Sequence, residues 1–80
     1  MRVLLFGPLS DLAGWREQTL APAPATLFAL RDQLGAADAA LGAALAGRGV
    51  QAAVDKALVR GDVALSSAAE VAFLPPMSGG

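Results

Sequence analysis

The sequence predicts an α+β domain in which one main helix covers one face of a mixed four- to five-stranded sheet. Strand-like runs stand on both sides of a helical segment, and the two most apolar runs, "VLLF" at 3–6 and "VAFL" at 71–74, lie near opposite ends of the chain. A two-residue interruption at Asp55-Lys56 separates a further pair of strand-like runs, the spacing of a tight hairpin. Buried strands are the most apolar, so the first and last strands are expected side by side and parallel in the middle of the sheet.

Taken in order, "RVLLF" combines Val, Leu and Phe and is closed by Gly7-Pro8, which reads as the first strand. A short polar stretch from Ser10 to Gly14 follows. "WREQTLA" alternates Trp15, Glu17 and Thr19 against Arg16, Gln18 and Leu20, a pattern suited to an exposed strand at a sheet edge. "APAPA" interrupts regular structure. Thr26 then stands at a helix N-cap position, Leu27, Leu30 and Leu34 recur on one helical face, and Gly35 reads as the C′ residue, so the main helix is expected over 26–34. Asp38 caps a weaker helical piece whose Leu41 and Leu45 share a face, with Gly42 costing ~1 kcal/mol relative to alanine. "VQAAV" and "ALVR" form the hairpin, 61–69 is irregular, and Pro75 ends the last strand.

At 80 residues the chain makes one domain, which buries only about 60% of the surface its unfolded form exposes. Cysteine and histidine are both absent, which excludes disulfides and thiolate or imidazole metal ligands. Six basic residues are dispersed among seven acidic ones for a net charge of −1, so neither a nucleic acid nor an anionic membrane surface is an expected partner. The N-terminal apolar run is too short for a signal-peptide core and no stretch reaches transmembrane length, which leads to the expectation of a soluble cytoplasmic protein.

Catalytic constellations are missing from the sequence. The serines at 10, 66, 67 and 78 have no histidine to activate them, no Gly-rich phosphate loop occurs, and Asp55 and Asp62 sit where turns and loops use Asp for backbone hydrogen bonds. Lys56, the single lysine, is accounted for by solvation in a turn. Two features remain. If Val3, Leu5, Ala57, Val59, Val71 and Phe73 face the helix, alternation turns Leu4, Phe6, Leu58 and Leu74 to the opposite face, where they form an apolar patch of the kind that marks an interface. The other is "PPMSGG": Pro75 and Pro76 leave the ladder, and Met77, Ser78, Gly79 and Gly80 have little to pack, so 1–76 is expected as the fold and 77–80 as a flexible tail.

"VAFLPPMSGG", preceded by "AAVDKALV" and by the N-terminal "RVLLFGPLSDLAG", resembles the small subunit of molybdopterin synthase, the MoaD-type sulfur carriers with a ubiquitin-like β-grasp fold. A bare Gly-Gly end is shared with thiamine-pathway carriers and ubiquitin-like modifiers; a Phe-apolar-Pro-Pro-x-x-Gly-Gly end is more specific. Two departures stand out: Ser67-Ala68-Ala69 replaces the Asp-Gly-Asp-type turn common in that family, and Asp55 stands where asparagine is frequent. An Ala68 forced into a left-handed conformation would be strained by roughly 1 kcal/mol, so a different turn is expected there.

The resemblance implies a chain that binds no cofactor and is no enzyme by itself. Its Gly80 carboxylate would be adenylated, with ATP, by a ubiquitin-activating-like adenylyltransferase, and a sulfur donor protein would convert the adenylate to a thiocarboxylate. The tail would then enter the large subunit of molybdopterin synthase and give its sulfur to cyclic pyranopterin monophosphate. Met77 and Ser78 would be spacers, Gly79 would pass a narrow channel, and Phe6, Leu58, Leu74, Pro75 and Pro76 would meet the partner. Carriers of another pathway, such as thiamine or cysteine synthesis, protein modifiers, and a plain interaction module with an idle tail remain as alternatives.

Overall fold

The computed structural model describes residues 1–76. Elements follow the order β1 (Arg2–Leu5), α1 (Pro8–Ala13), β2 (Glu17–Thr19), α2 (Leu27–Ala37), α3 (Ala39–Leu45), β3 (Gln51–Val54), β4 (Ala57–Val59) and β5 (Glu70–Leu74). The strands form one mixed sheet in the order β2-β1-β5-β3-β4. β1 and β5 are parallel neighbours, with Val3 opposite Val71 and Leu5 opposite Phe73, and the other pairs are antiparallel. The first and last strands thus lie together at the centre, as their apolar character predicts. This is the β-grasp arrangement, with α2 gripped by the sheet.

Register fixes the two faces. Val3, Val71, Val54 and Ala57 line up across the sheet, as do Leu5, Phe73, Ala52 and Val59, and these rows face the helices. Leu27, Leu30 and Leu34 of α2, Leu41 and Leu45 of α3, Leu9 of α1 and Leu65 of the long loop complete the core. Each large aliphatic or aromatic side chain so buried contributes ~1.5–3 kcal/mol. Ala57 shares the inward register but is exposed, as the first residue of the edge strand β4 beside the Asp55-Lys56 turn.

Two local expectations need correction. The stretch read as a polar turn at Ser10–Gly14 belongs to the helix α1, with Pro8 in its first turn, Leu9 buried and Gly14 as a left-handed cap whose N–H donates to the Ser10 carbonyl. Pro8 ends β1 and starts a helix at once. Gly35 is no C′ residue: α2 continues to Ala37, and Asp38 serves both as its C-cap and as the N-cap of α3, its side chain accepting from Leu41 N–H at 3.1 Å. Gly35 and Gly42 instead face one another where α2 and α3 cross; a Cβ on Gly42 would lie 2.6 Å from the Gly35 Cα.

The segment read as irregular is tied to the start of α2. Leu27 N–H donates to the Val63 carbonyl and Leu65 N–H to the Ala25 carbonyl, both at 2.9 Å. Asp62 accepts from Phe28 N–H at 2.8 Å, adding to the Thr26 cap on Ala29. Asp55 and Lys56 both take positive φ, 48° and 72°, the signature of the tight turn predicted between β3 and β4. Ala68 is not left-handed: its N–H closes a turn onto the Leu65 carbonyl at 3.0 Å, and the Asp55 carboxylate accepts from Ala69 and Glu70 N–H.

Candidate functional site

The outer face of the sheet is built by the second half of the alternation. Leu4, Ala72, Ala53 and Leu58 run in one row across β1, β5, β3 and β4, and Leu74 sits opposite Gln51 in the next. Phe6 continues β1 by one residue, its N–H donating to the Phe73 carbonyl, and alternation carries its ring to this same face. Phe6 is 43% and Leu58 62% exposed; Leu12 and Phe28 are also exposed elsewhere, and what sets the first two apart is that they share one sheet face. Leu74, expected to be equally exposed, is half-buried; it lies on a central strand with a neighbour on each side, whereas Leu58 lies on an edge. Ala53 and Ala72 are buried but stand outside the core, short side chains between larger neighbours on the outer face. Neither stands out in the sequence, because alanine carries no signal of its own.

Charge borders the patch on its β2 side. Arg2 pairs with Glu70 at 2.6 Å and lies 3.9 Å from Glu17, while Arg16 and Glu17 flank a shallow recess shared with Leu4 and Phe6. The Arg2–Glu17 pair is half-exposed on both sides and adds little stability, whereas the Glu70 side chain is only 12% exposed, so its pair with Arg2 is partly buried.

Pro75 and Pro76 lie where β5 leaves the sheet, Pro75 half-buried and Pro76 exposed. Pro75 abuts Gly7 of the β1–α1 turn, and Pro76 abuts Gly49 of the α3–β3 loop. The structure therefore brings Phe6, Leu74, Pro75 and Pro76 to one end of β1 and β5, and leaves Leu58 at the far edge of the same face. Met77, Ser78, Gly79 and Gly80 lie outside the described residues.

A further groove lies between α2 and α3, lined among others by Phe28, Arg31 and Asp32. The Arg31 guanidinium lies 5.3 Å from the Phe28 ring centre, a cation–π contact, and the groove holds no nucleophile beside a base. Among the described residues no cluster of three or more potential metal ligands exists, and no helix is long and apolar enough to cross a membrane.

The ThiS family model matches residues 3–80, nearly the whole chain and through its last glycine. The chain belongs to the ThiS family. Members are ubiquitin-like β-grasp sulfur carriers, generally non-catalytic, that work with activating enzymes and partner subunits. The crystal structure of SAMP1 from Haloferax volcanii is similar to this ThiS-family chain with a TM-score of 0.81 at 26% sequence identity, over 99% of this chain and 97% of SAMP1. That likeness establishes the ubiquitin-like β-grasp fold independently of the sequence patterns. No curated protein matches the sequence significantly.

Proposed function

We propose that this chain is the sulfur-carrying subunit of molybdopterin synthase. Its Gly80 carboxylate attacks the α-phosphorus of ATP on a ubiquitin-activating-like partner, releasing pyrophosphate and forming an acyl-adenylate. A carboxylate is a poor electrophile, and the adenylate supplies the leaving group it lacks. Sulfide-level sulfur from a donor protein then displaces AMP and leaves a thiocarboxylate, which gives its sulfur to cyclic pyranopterin monophosphate in the large synthase subunit. The protein acts as the reagent and its partners as catalysts, which accords with a fold whose charged groups serve caps, turns and surface pairs.

One observation carries the reading: the Phe73-Leu74-Pro75-Pro76 run leaves the central strand β5 and is followed by Met77-Ser78-Gly79-Gly80, in a ThiS-family chain. Residues 77–80 span at most ~3.3–3.6 Å each, enough to carry a carboxylate over ten ångströms into a partner. Phe6, Leu58 and Leu74, with the prolines, form the docking face, and a cytoplasmic setting supplies ATP and reduced sulfur. The ThiS-family match itself favours a second reading, a carrier for another pathway such as thiamine or cysteine synthesis, with the same tail chemistry and a different acceptor.

Intact-protein mass spectrometry tests the proposal after incubation with an activating enzyme, ATP and a sulfur donor. The expected result is an oxygen-to-sulfur mass gain located at Gly80, followed by its loss when the large synthase subunit and cyclic pyranopterin monophosphate are added. No mass gain with any activating enzyme overturns the carrier chemistry at Gly80. A mass gain that persists with this acceptor, yet is discharged by a thiazole- or cysteine-forming synthase, overturns the molybdopterin assignment alone.

A further inference from the structure

We propose that Gly7 and Gly49 are positioning residues that form a two-sided cradle for Pro75-Pro76, fixing where and in what direction the chain leaves the sheet. The geometry is specific. A Cβ on Gly7 would lie 3.3 Å from Pro75 Cγ, and a Cβ on Gly49 would lie 3.1 Å from Pro76 Cβ, 3.6 Å from its Cγ and 3.7 Å from its Cα. Both distances to the first atom fall inside ordinary carbon–carbon contact, ~3.5–4.0 Å. Each glycine belongs to a different connection, the β1–α1 turn and the α3–β3 loop, and both close on residues that immediately follow β5. Hydrogen, and no larger group, lets the two walls touch the prolines.

The two contacts are not equivalent. Pro75 Cγ is a ring atom that repuckering moves, so the Gly7 wall yields. At Gly49 the one atom inside ordinary contact is Pro76 Cβ at 3.1 Å, which is bonded to Cα and moves largely with the backbone, whereas Cγ and Cα lie farther off at 3.6 and 3.7 Å. Alanine at 49 therefore displaces Pro76, the point from which residues 77–80 set out, by tenths of an ångström. The effect on the reaction rests on the sulfur-carrier reading above; the cradle itself does not.

The fold supplies its own controls. Gly49 has φ +85°, and Gly14 and Gly61 have φ +81° and +68° with nothing within 4 Å of a Cβ. Alanine at any of the three incurs left-handed backbone strain, and only at 49 does it also press on the tail. The experiment compares Gly49→Ala, Gly61→Ala and Gly14→Ala in the full chain by two measurements. In NMR spectra, the Pro76 ring and Cα resonances shift in Gly49→Ala and stay in place in the other two. In adenylation by an activating enzyme that accepts the wild type, kcat for Gly49→Ala falls about tenfold with KM for the carrier unchanged, since a misplaced reacting group lowers rate without weakening remote docking. Pro76→Gly removes the opposing ring, so Gly49→Ala/Pro76→Gly reacts no more slowly than Pro76→Gly alone. Equal kinetic losses in Gly49→Ala and Gly61→Ala overturn the positioning role, since strain alone then accounts for them. Unmoved Pro76 resonances in Gly49→Ala overturn the cradle even if no enzyme activates the chain.

Discussion

Gly42→Ala sets two physical effects against each other. Helix propensity favours alanine over glycine inside a helix by ~0.8–1 kcal/mol, so a reading of α3 by itself expects stabilisation. The crossing of α2 and α3 says otherwise. The new Cβ would lie 2.6 Å from the Gly35 Cα, about an ångström inside normal contact, and the opposing atom is backbone that no rotamer change removes. The helices must separate, and with them Leu30, Leu34, Leu41 and Leu45, all in the core. Overpacking costs ~1–3 kcal/mol, and a 2.6 Å approach to backbone belongs at the upper end, ~2–3 kcal/mol, which leaves a net loss of ~1–2 kcal/mol after the ~1 kcal/mol of propensity is credited. For a domain of this size that lowers Tm by roughly 4–8 °C per kcal/mol. Gly35→Ala meets Gly42 Cα at 3.2 Å, so its propensity gain nearly offsets the contact and stability changes little. Urea denaturation with unchanged m values measures both. A Gly42→Ala protein as stable as the wild type, or more stable, would refute the close crossing.

Lys56→Gly should stabilise the domain by about 1 kcal/mol in the same denaturation assay, because Lys56 holds φ 72° in a turn where glycine is unstrained. Leu58→Arg should leave the melting curve near that of the wild type and weaken binding to the synthase large subunit by at least tenfold in calorimetry, since Leu58 is 62% exposed and an arginine there is desolvated only on docking. Leu74→Arg should weaken binding too but also lower stability, its side chain being half-buried already. Appending one residue after Gly80 should abolish thiocarboxylate formation in the mass-spectrometric assay while leaving the fold's circular dichroism unchanged.

Much of this fold is legible because its signals are redundant. Val3–Phe6 and Val71–Leu74 mark central strands by composition, Asp55-Lys56 marks the hairpin by spacing, and Thr26 with Leu27, Leu30 and Leu34 marks α2 by cap and period together. The misses occur where one residue type serves two purposes. Pro8 ends a strand and opens a helix, and α1, at six residues, is too short to display a period. Gly35 follows the last leucine of the α2 stripe as a C′ glycine does, yet its role is to admit Gly42. Of the candidate site, the apolar patch followed from alternation, but the degree of burial of Leu74 depended on strand order, which no local pattern encodes. Gly49 gives no local sign of its contact, because its partner, Pro76, is remote in sequence and adjacent only in the fold.

The position of the tail within the sheet bears on how the molecule divides its work. β5 is hydrogen-bonded on both sides, to β1 and β3, and Val71 and Phe73 are fully buried. Such a strand opens only with the whole domain, so pulling or threading of the residues beyond Pro76 is resisted by the global stability and not by a fraying edge. Had the tail followed β2 or β4, edge strands of three residues each, a partner drawing on it would unpair the strand first. Chain reversal order also matters: a β-grasp sheet with its last strand central places the outer-face patch and the tail base on the same element, Leu74 leading directly into Pro75. On the proposed reading, a partner that covered Leu74 would thereby fix the origin of the tail, and docking and delivery would become one geometric event.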